Sequence, residues 1–385
     1  MLQNKLPDLP SLIQLRHDLH QHPEVSGQEK QTAERIVQHL QQYNPDQLLT
    51  GLGGTGVAAV FYGKNPEGPV VLFRAELDAL PIAETTDLAY TSQQKGIGHQ
   101  CGHDGHMTIL TGLGSLLHQH KPASGKVILL YQPAEETGAG AWDVLQEEAF
   151  LALQPDYVFA LHNLPGVPMH QVVVRQDVFA AASTGMVVEL QGKSSHAAEP
   201  EKGLNPGQAM AKIVLNFNQI VQQKAQFQDL TLLTVIHARL GEVAFGTNPG
   251  FATVMATLRS YQPADLKKLK TLTQEDVARM AEKYGLSYKL HFAEEFPATV
   301  NHPEAVQLIQ RAADHLNLEV REAEHPFRWS EDFGHFTQKY KGALFGLGSG
   351  KAQPQLHHSD YDFPDKLIPT GAVMFHRIAQ EILSV

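Results

Sequence analysis

Apolar residues recur along this chain with two different periods, and the period changes several times. Leu12, Leu15 and Leu19, then Ala33, Ile36, Val37 and Leu40, return three or four positions apart, which predicts helix over residues 10–42. The break falls at His22-Pro23, because proline lacks an amide hydrogen and disfavours helix in the residue before it. Residues 57–61 (VAAVF) and 70–74 (VVLFR) are short apolar runs bounded by glycine and proline, the pattern of strands buried on both faces. Residues 127–131 and 157–161 repeat that pattern, with a helix predicted over 107–118. Three of these strands run directly into polar residues: the first into Glu76 and Asp78, the next into Glu135-Glu136, the last into His162-Asn163. In an open α/β sheet the carboxyl ends of the strands are where ligands bind.

The middle of the chain reads differently. Strand 185–191, helix 204–223, strands 232–240 and 250–260, helix 264–284 and strand 286–292 follow in turn, a β-α-β-β-α-β order that makes a self-contained ferredoxin-like unit. The α/β pattern resumes after residue 300 with helix 302–316, an apolar run at 343–348 and a closing helix from Pro369. The predicted fold is α/β: a catalytic domain with an open, mostly parallel sheet, over residues 1–182 and 296–385. A lid or dimerisation domain over 183–295 interrupts it.

The composition narrows the function. A chain of 385 residues with 42% hydrophobic and 18% charged content suits a globular protein with a large core. A net charge of -11 argues against nucleic acid or an anionic membrane as partner. The first fifteen residues lack a basic start followed by an apolar core, so no leader is expected and a cytoplasmic setting is the default. No run approaches the roughly 18 apolar residues that span a bilayer.

Chemistry concentrates in a few places. Cys101 is the only cysteine, so packing, reactivity or ligation are its uses. It stands two residues before His103 in a glycine-rich turn. Glu135-Glu136, His162 and the run Leu356 to Asp360 add carboxylate and imidazole. Thiolate, imidazole and carboxylate together suit zinc, with manganese or cobalt close behind. Adjacent glutamates can divide labour, one on the metal and one taking a proton. Simpler roles are expected elsewhere: helix packing or surface for His17, His20 and His22, turn or helix capping for Asp104, His106, Glu331 and Asp332, and core or pocket wall for Trp142 and Trp329.

Eight segments carry a family resemblance: RHDLHQHPE (16–24), FRAELDALPI, GHQCGHDGHM, PAEETGAGA, ALHN, GKSSHAAEP, SEDF (330–333) and LHHSDYDFPD. In this order they resemble the metal-dependent amidohydrolases that include hippurate hydrolase, N-acyl-amino-acid deacylases and plant auxin-conjugate hydrolases, relatives of carboxypeptidase G and aminoacylase. The resemblance implies hydrolysis of an N-acyl amino acid by two divalent metal ions per subunit (zinc or manganese, with cobalt or nickel also suited). Cys101 would bridge the ions, His103 and His162 completing one site, Glu136 and His357 the other. Glu135 would be the general base and Asp78 the partner that orients His103. His196 would donate to the oxyanion, often across a homodimer formed by the inserted domain. Arg259 would help to hold the substrate, and Asn248 stands two residues beyond Gly246, where relatives carry asparagine. A dipeptide-cleaving metallopeptidase and an inactive metal-binding scaffold are the rival expectations.

Overall fold

The protein was studied as a computed structural model, which describes Leu6 and residues 8–383; most of the first few residues read for a leader therefore lie outside the described residues. The chain divides into two compact units, one made of residues 1–179, 299–326 and 331–385, the other of 180–298 and 327–330. Among the described residues no helix is long and apolar enough to cross a membrane.

The larger unit is built on an eight-stranded sheet. In sheet order its strands are Gln47–Leu52, Gly56–Tyr62, Ser124–Gln132, Asn65–Glu76, Tyr157–Pro165, Lys341–Gly350, Val172–Val174 and Val320–Glu322. The four central strands pair in parallel; antiparallel pairings flank them on both sides, and the outermost pair, Val172–Val174 with Val320–Glu322, is parallel again. Burial explains the apolar runs: Gly56 through Phe61, and Val71 through Glu76, are buried without interruption, as expected of strands covered on both faces. The strands at 320–322 and 47–52 show no such run, and the strand at 172–174, though buried throughout, has only three residues; none of the three was expected. The strand expected at 70–74 extends to Asn65–Glu76, its early part pairing with Ser124 and Lys126.

Helix His103–Gln119 is buried from His103 to Leu117 and packs against Leu9–Gln21, Ile368–Ile382 and the sheet. Two glycines let it start where it does. Gly102 has φ +92°, and a Cβ there would lie 2.8 Å from Asn163 Oδ1. A Cβ on Gly105 would lie 2.3 Å from the Phe363 ring. The helix expected over 10–42 is two helices, Leu9–Gln21 and Lys30–Leu40, and the loop between them makes a parallel bridge at Val25 to Ala79.

The smaller unit has a four-stranded sheet in the order Thr231–Leu240, Phe251–Ser260, Ala182–Gln191, Ser287–Phe296. Every neighbouring pair is antiparallel. With helices Gly207–Gln222 and Pro263–Lys283 this is the ferredoxin-like arrangement. Phe251–Ser260 alternates buried and half-buried positions, and its buried set meets Ile213, Phe217, Leu269 and Val277 of the two helices. That pattern is a sheet with one covered face.

Candidate metal centre

The metal-ligand candidates of the larger unit come from a helix start (His103, with Cys101 just before it), the turn after strand Ser124–Gln132 (Glu136), the strand Tyr157–Pro165 (His162) and a turn (His357). Ligand atoms of Cys101, His103 and His162 lie within 4.8 Å of one another, and so do those of Cys101, Glu136 and His357. Cys101 belongs to both groups. Its Sγ lies 3.6 Å from His162 Nε2, while Glu136 Oε1 lies 3.9 Å from His103 Nε2 and 3.7 Å from His357 Nε2. Of the two adjacent histidines, His357 joins a group and His358 does not.

The histidines are oriented from behind. His103 Nδ1 lies 2.9 Å from the Asp78 backbone oxygen, and His162 Nδ1 lies 2.9 Å from the Asn163 backbone oxygen. A carbonyl only accepts, so each Nδ1 carries a hydrogen and each Nε2 faces the group. The Asp78 carbonyl is nearer to His103 than its carboxylate, whose Oδ1 stands at 3.5 Å. Asp78 Oδ2 accepts from Ser26 Oγ at 2.7 Å and from the Glu136 amide at 2.9 Å.

The donor set fits a cation. His103 Nε2, Glu136 Oε1 and Asp78 Oδ1 are buried without a hydrogen-bond partner, a costly state unless something binds there. Burial, then Glu136 and Glu135, push the Cys101 thiol well up. Burial also pushes Glu136 up to about 7, against the pull of His103. Burial opposes charge on His103, yet Asp78, Glu76 and Glu136 push it up to about 10. Carboxylates that hold a proton on His103 would equally hold a metal ion, which binds in place of the proton. Burial and His106 push His162 down to about 3, so it is neutral, as a ligand must be.

Glu135 is buried beside this group, its Oε1 3.4 Å from the Asp332 amide. Burial, then Glu331, Glu136 and Asp332, push its carboxyl well up. Glu135, Glu331 and Asp332 also satisfy the spacing of a cation site, but the Arg74 guanidinium stands among them. Arg74 Nη2 donates to Glu331 at 2.9 Å and to Asp332 at 2.6 Å, and Nη1 pairs with Glu76.

This network corrects several sequence expectations. Glu331 and Asp332 pair with Arg74 rather than serve as simple caps. Asp104 lies in the first turn of helix His103–Gln119 and does not cap it, for that helix has no side-chain cap. Its Oδ2 accepts from Arg16 at 3.1 Å and from His20 at 2.8 Å. His106 engages both nitrogens, Nδ1 2.7 Å from Glu76 and Nε2 2.6 Å from Asn163. Trp142 is 51% exposed and no core residue. One signal was available for the Asp104 contacts: Arg16 and His20 are four apart on one helix face.

His196, Asn248 and Arg259 lie in the smaller unit. His196 is exposed, its Nδ1 accepting from the Ala198 amide at 3.0 Å, and its backbone pairs with Thr247. Asn248 is tied into the same loop: Nδ2 donates to Ser195 Oγ at 3.0 Å, and Oδ1 accepts from Asn205 at 2.7 Å. Arg259 Nη1 donates to Ser330 Oγ at 2.7 Å and to the Arg328 backbone oxygen.

The chain is similar to known proteins over most of its length. Residues 72–381 match the model of peptidase family M20/M25/M40. The hippurate hydrolase of Campylobacter jejuni is 30% identical over 390 residues, covering 99% of this chain and 100% of that protein. The N-acetylcysteine deacetylase of Bacillus subtilis is 28% identical over 377 residues, covering 97% of each. A solved structure from Bacillus subtilis, described as a dinuclear metal binding peptidase from the M20 family, superposes with a TM-score of 0.83 at 25% identity over 98% of both chains. Its relatives include named hydrolases and deacetylases, and the fold and the match over most of its length agree: the chain belongs to peptidase family M20/M25/M40 and is a hydrolase that acts on amide bonds.

Proposed function

We propose that the protein hydrolyses the amide bond of an N-acyl amino acid, using two divalent cations, zinc or manganese in the first instance. The observation that carries this is the place of Cys101 in both ligand groups, since one thiolate shared by two sets of donors suits a bridging ligand. His103 and His162 would complete one site, Glu136 and His357 the other. Bound there, the cations would polarise the amide carbonyl and acidify water. Relatives that act on hippurate and on N-acetylcysteine, as their names state, favour an acylated amino acid as substrate.

The chain's own residues have distinct tasks in this reading. Glu135, buried and free of strong tethers, takes the proton of the attacking water and returns it to the leaving amine. Asp78 keeps His103 in one tautomer and orientation. His196 donates to the developing oxyanion, in a homodimer formed by the smaller unit, and Arg259 holds the substrate carboxylate. Asn248 holds the loop that presents His196. A cytoplasmic setting suits a site built on one reduced thiolate.

A screen of acetyl, benzoyl and longer acyl amino acids, with zinc or manganese added, tests the reading. A second reading, cleavage of dipeptides with a free amino terminus, is favoured by the solved neighbour described as a peptidase, and dipeptides form the other arm of the screen. Turnover of dipeptides alone would replace the first reading by the second. In parallel, Glu135→Gln is expected to abolish turnover while metal content stays near that of the parent. Metal lost together with activity would reverse the roles given to Glu135 and Glu136.

A further inference from the structure

The backbone that carries Glu135 sits in a conformation its own residue disfavours. Ala134 has φ +50°, in the left-handed region where a Cβ crowds the following carbonyl and glycine is at ease. A non-glycine residue stays there only when its surroundings hold it. Here the holder is Glu29, fully buried at the start of helix Lys30–Leu40. Its Oε1 accepts from the Ala134 amide at 2.8 Å and from the Gly27 amide at 2.8 Å. Its Oε2 accepts from Thr55 Oγ1 at 2.8 Å. With both oxygens fixed, the carboxylate is a rigid anchor for the turn.

The far side of the turn is anchored separately. The Glu136 amide donates to Asp78 Oδ2 at 2.9 Å, and the Gly138 amide to the Glu135 backbone oxygen at 2.8 Å. Glu135 thus hangs between two buried carboxylates, one holding the amide before it and the other the amide after it. Among the described residues, the hydrogen-bond partner of its own side chain is the Asp332 amide at 3.4 Å, which is long for a hydrogen bond. Backbone geometry therefore decides where its carboxylate points.

We propose that Glu29 is a positioning residue for amide hydrolysis, holding the Ala134 amide so that the turn stays left-handed and aims Glu135 at the reacting centre. This rests on the reading of Glu135 as general base. Asp78 keeps its grip on Glu136, so loosening Glu29 moves the base and spares the metal-binding carboxylate. The effect should fall on kcat, with KM and metal content nearly unchanged.

Glu29→Gln, Glu29→Leu, Ala134→Gly and the double variant Glu29→Leu/Ala134→Gly are compared for kcat, KM, metal content and thermal midpoint. Glu29→Gln keeps a carbonyl oxygen for the two amides and should hold kcat within roughly threefold of the parent. Glu29→Leu should lose about 100-fold in kcat, the scale on which a misplacement of about 1 Å acts. Ala134→Gly, near neutral alone, should recover roughly tenfold in the Glu29→Leu background, because glycine takes up the positive φ unaided. A role in stability alone would lower the thermal midpoint without this recovery. Should Glu29→Leu not fold, Ala134→Val in the parent decides: a β-branched residue at positive φ disturbs the same turn from its other end, and unchanged kcat overturns the proposal. So does a folded, metal-loaded Glu29→Leu with parental kcat, one that Ala134→Gly fails to rescue, or metal lost in step with kcat. Glu135→Gln is assayed alongside: if it remains active, the general-base reading fails, whatever the Glu29 variants show.

Discussion

Arg74→Met should destabilise the larger unit by about 3 kcal/mol at neutral pH, and by less in acid. Methionine keeps the length and apolar stem of the side chain, so the change removes charge and donors with little cavity. Arg74 is fully buried, as are Glu76 and Asp332, and Glu331 nearly so. Removing one member of a buried ion pair costs about 3–5 kcal/mol, because the other charge is left without compensation. The lower end applies here, since the carboxylates keep other donors. Asp332 Oδ2 still accepts from Gln132 Nε2 at 2.8 Å and from the Ala141 amide at 2.9 Å, and Glu76 retains His106 at 2.7 Å. The pH dependence follows from Glu76. Burial opposes its ionisation, but Arg74 and His106 hold it well below 4.5, so its ionised form stabilises the fold above that value and the contribution fades as pH falls through the folded pKa. Without Arg74, burial dominates and the folded pKa rises, so the penalty grows as pH climbs from about 4.5 toward 7. Urea unfolding of the metal-free protein at pH 5 and pH 7 is the assay; urea avoids screening the ion pairs, and metal removal avoids stabilisation by binding. A cost below about 1 kcal/mol at pH 7, or one equal at both pH values, would refute this account of the cluster.

Cys101→Ser should weaken metal retention, and alkylation of Cys101 in the parent should be slow until a chelator is added; equal rates with and without chelator would remove the thiolate from the ligand set. Burial and the neighbouring His120 push His376 down to about 4, so the neutral ring stabilises the fold above about 6.5 and is lost as pH falls toward 4. His376→Gln should therefore flatten the stability profile in that window by on the order of 1–2 kcal/mol, partial exposure discounted, as read by urea unfolding across it. Mixing His196→Ala with Glu135→Gln and allowing subunit exchange should return roughly a quarter of parental activity, since about half the dimers are mixed and each has one complete site; confirmed exchange without activity would place His196 at its own subunit's reaction or at none.

What the sequence made legible and what it hid divide along sequence separation. The strands expected at 57–61, 127–131 and 157–161 could be read because a strand covered on both faces is apolar throughout, a local property. The helix expected over 107–118 begins four residues earlier, at His103; Gly102 and Gly105 read as a turn, and only the fold shows that their missing Cβ atoms make room for Asn163 and Phe363. The Glu135-Glu136 pair was visible as two carboxylates at a strand end. What holds that pair was not: Arg74 meets Asp332 across 258 positions, and Glu29 meets Ala134 across 105. One hint of the first was present, because an arginine inside an apolar strand run must find carboxylates or leave a buried charge unpaired. Reading Glu331 and Asp332 as caps ignored that requirement. No comparable hint marks Glu29. An alanine in a Pro-Ala-Glu-Glu turn gives no sign of a positive φ, and a glutamate before a helix looks like ordinary first-turn charge. Backbone strain at Ala134 is set by contacts that exist only after the sheet has assembled, so the residue that holds this turn is knowable from the fold and not from the run of residues around it.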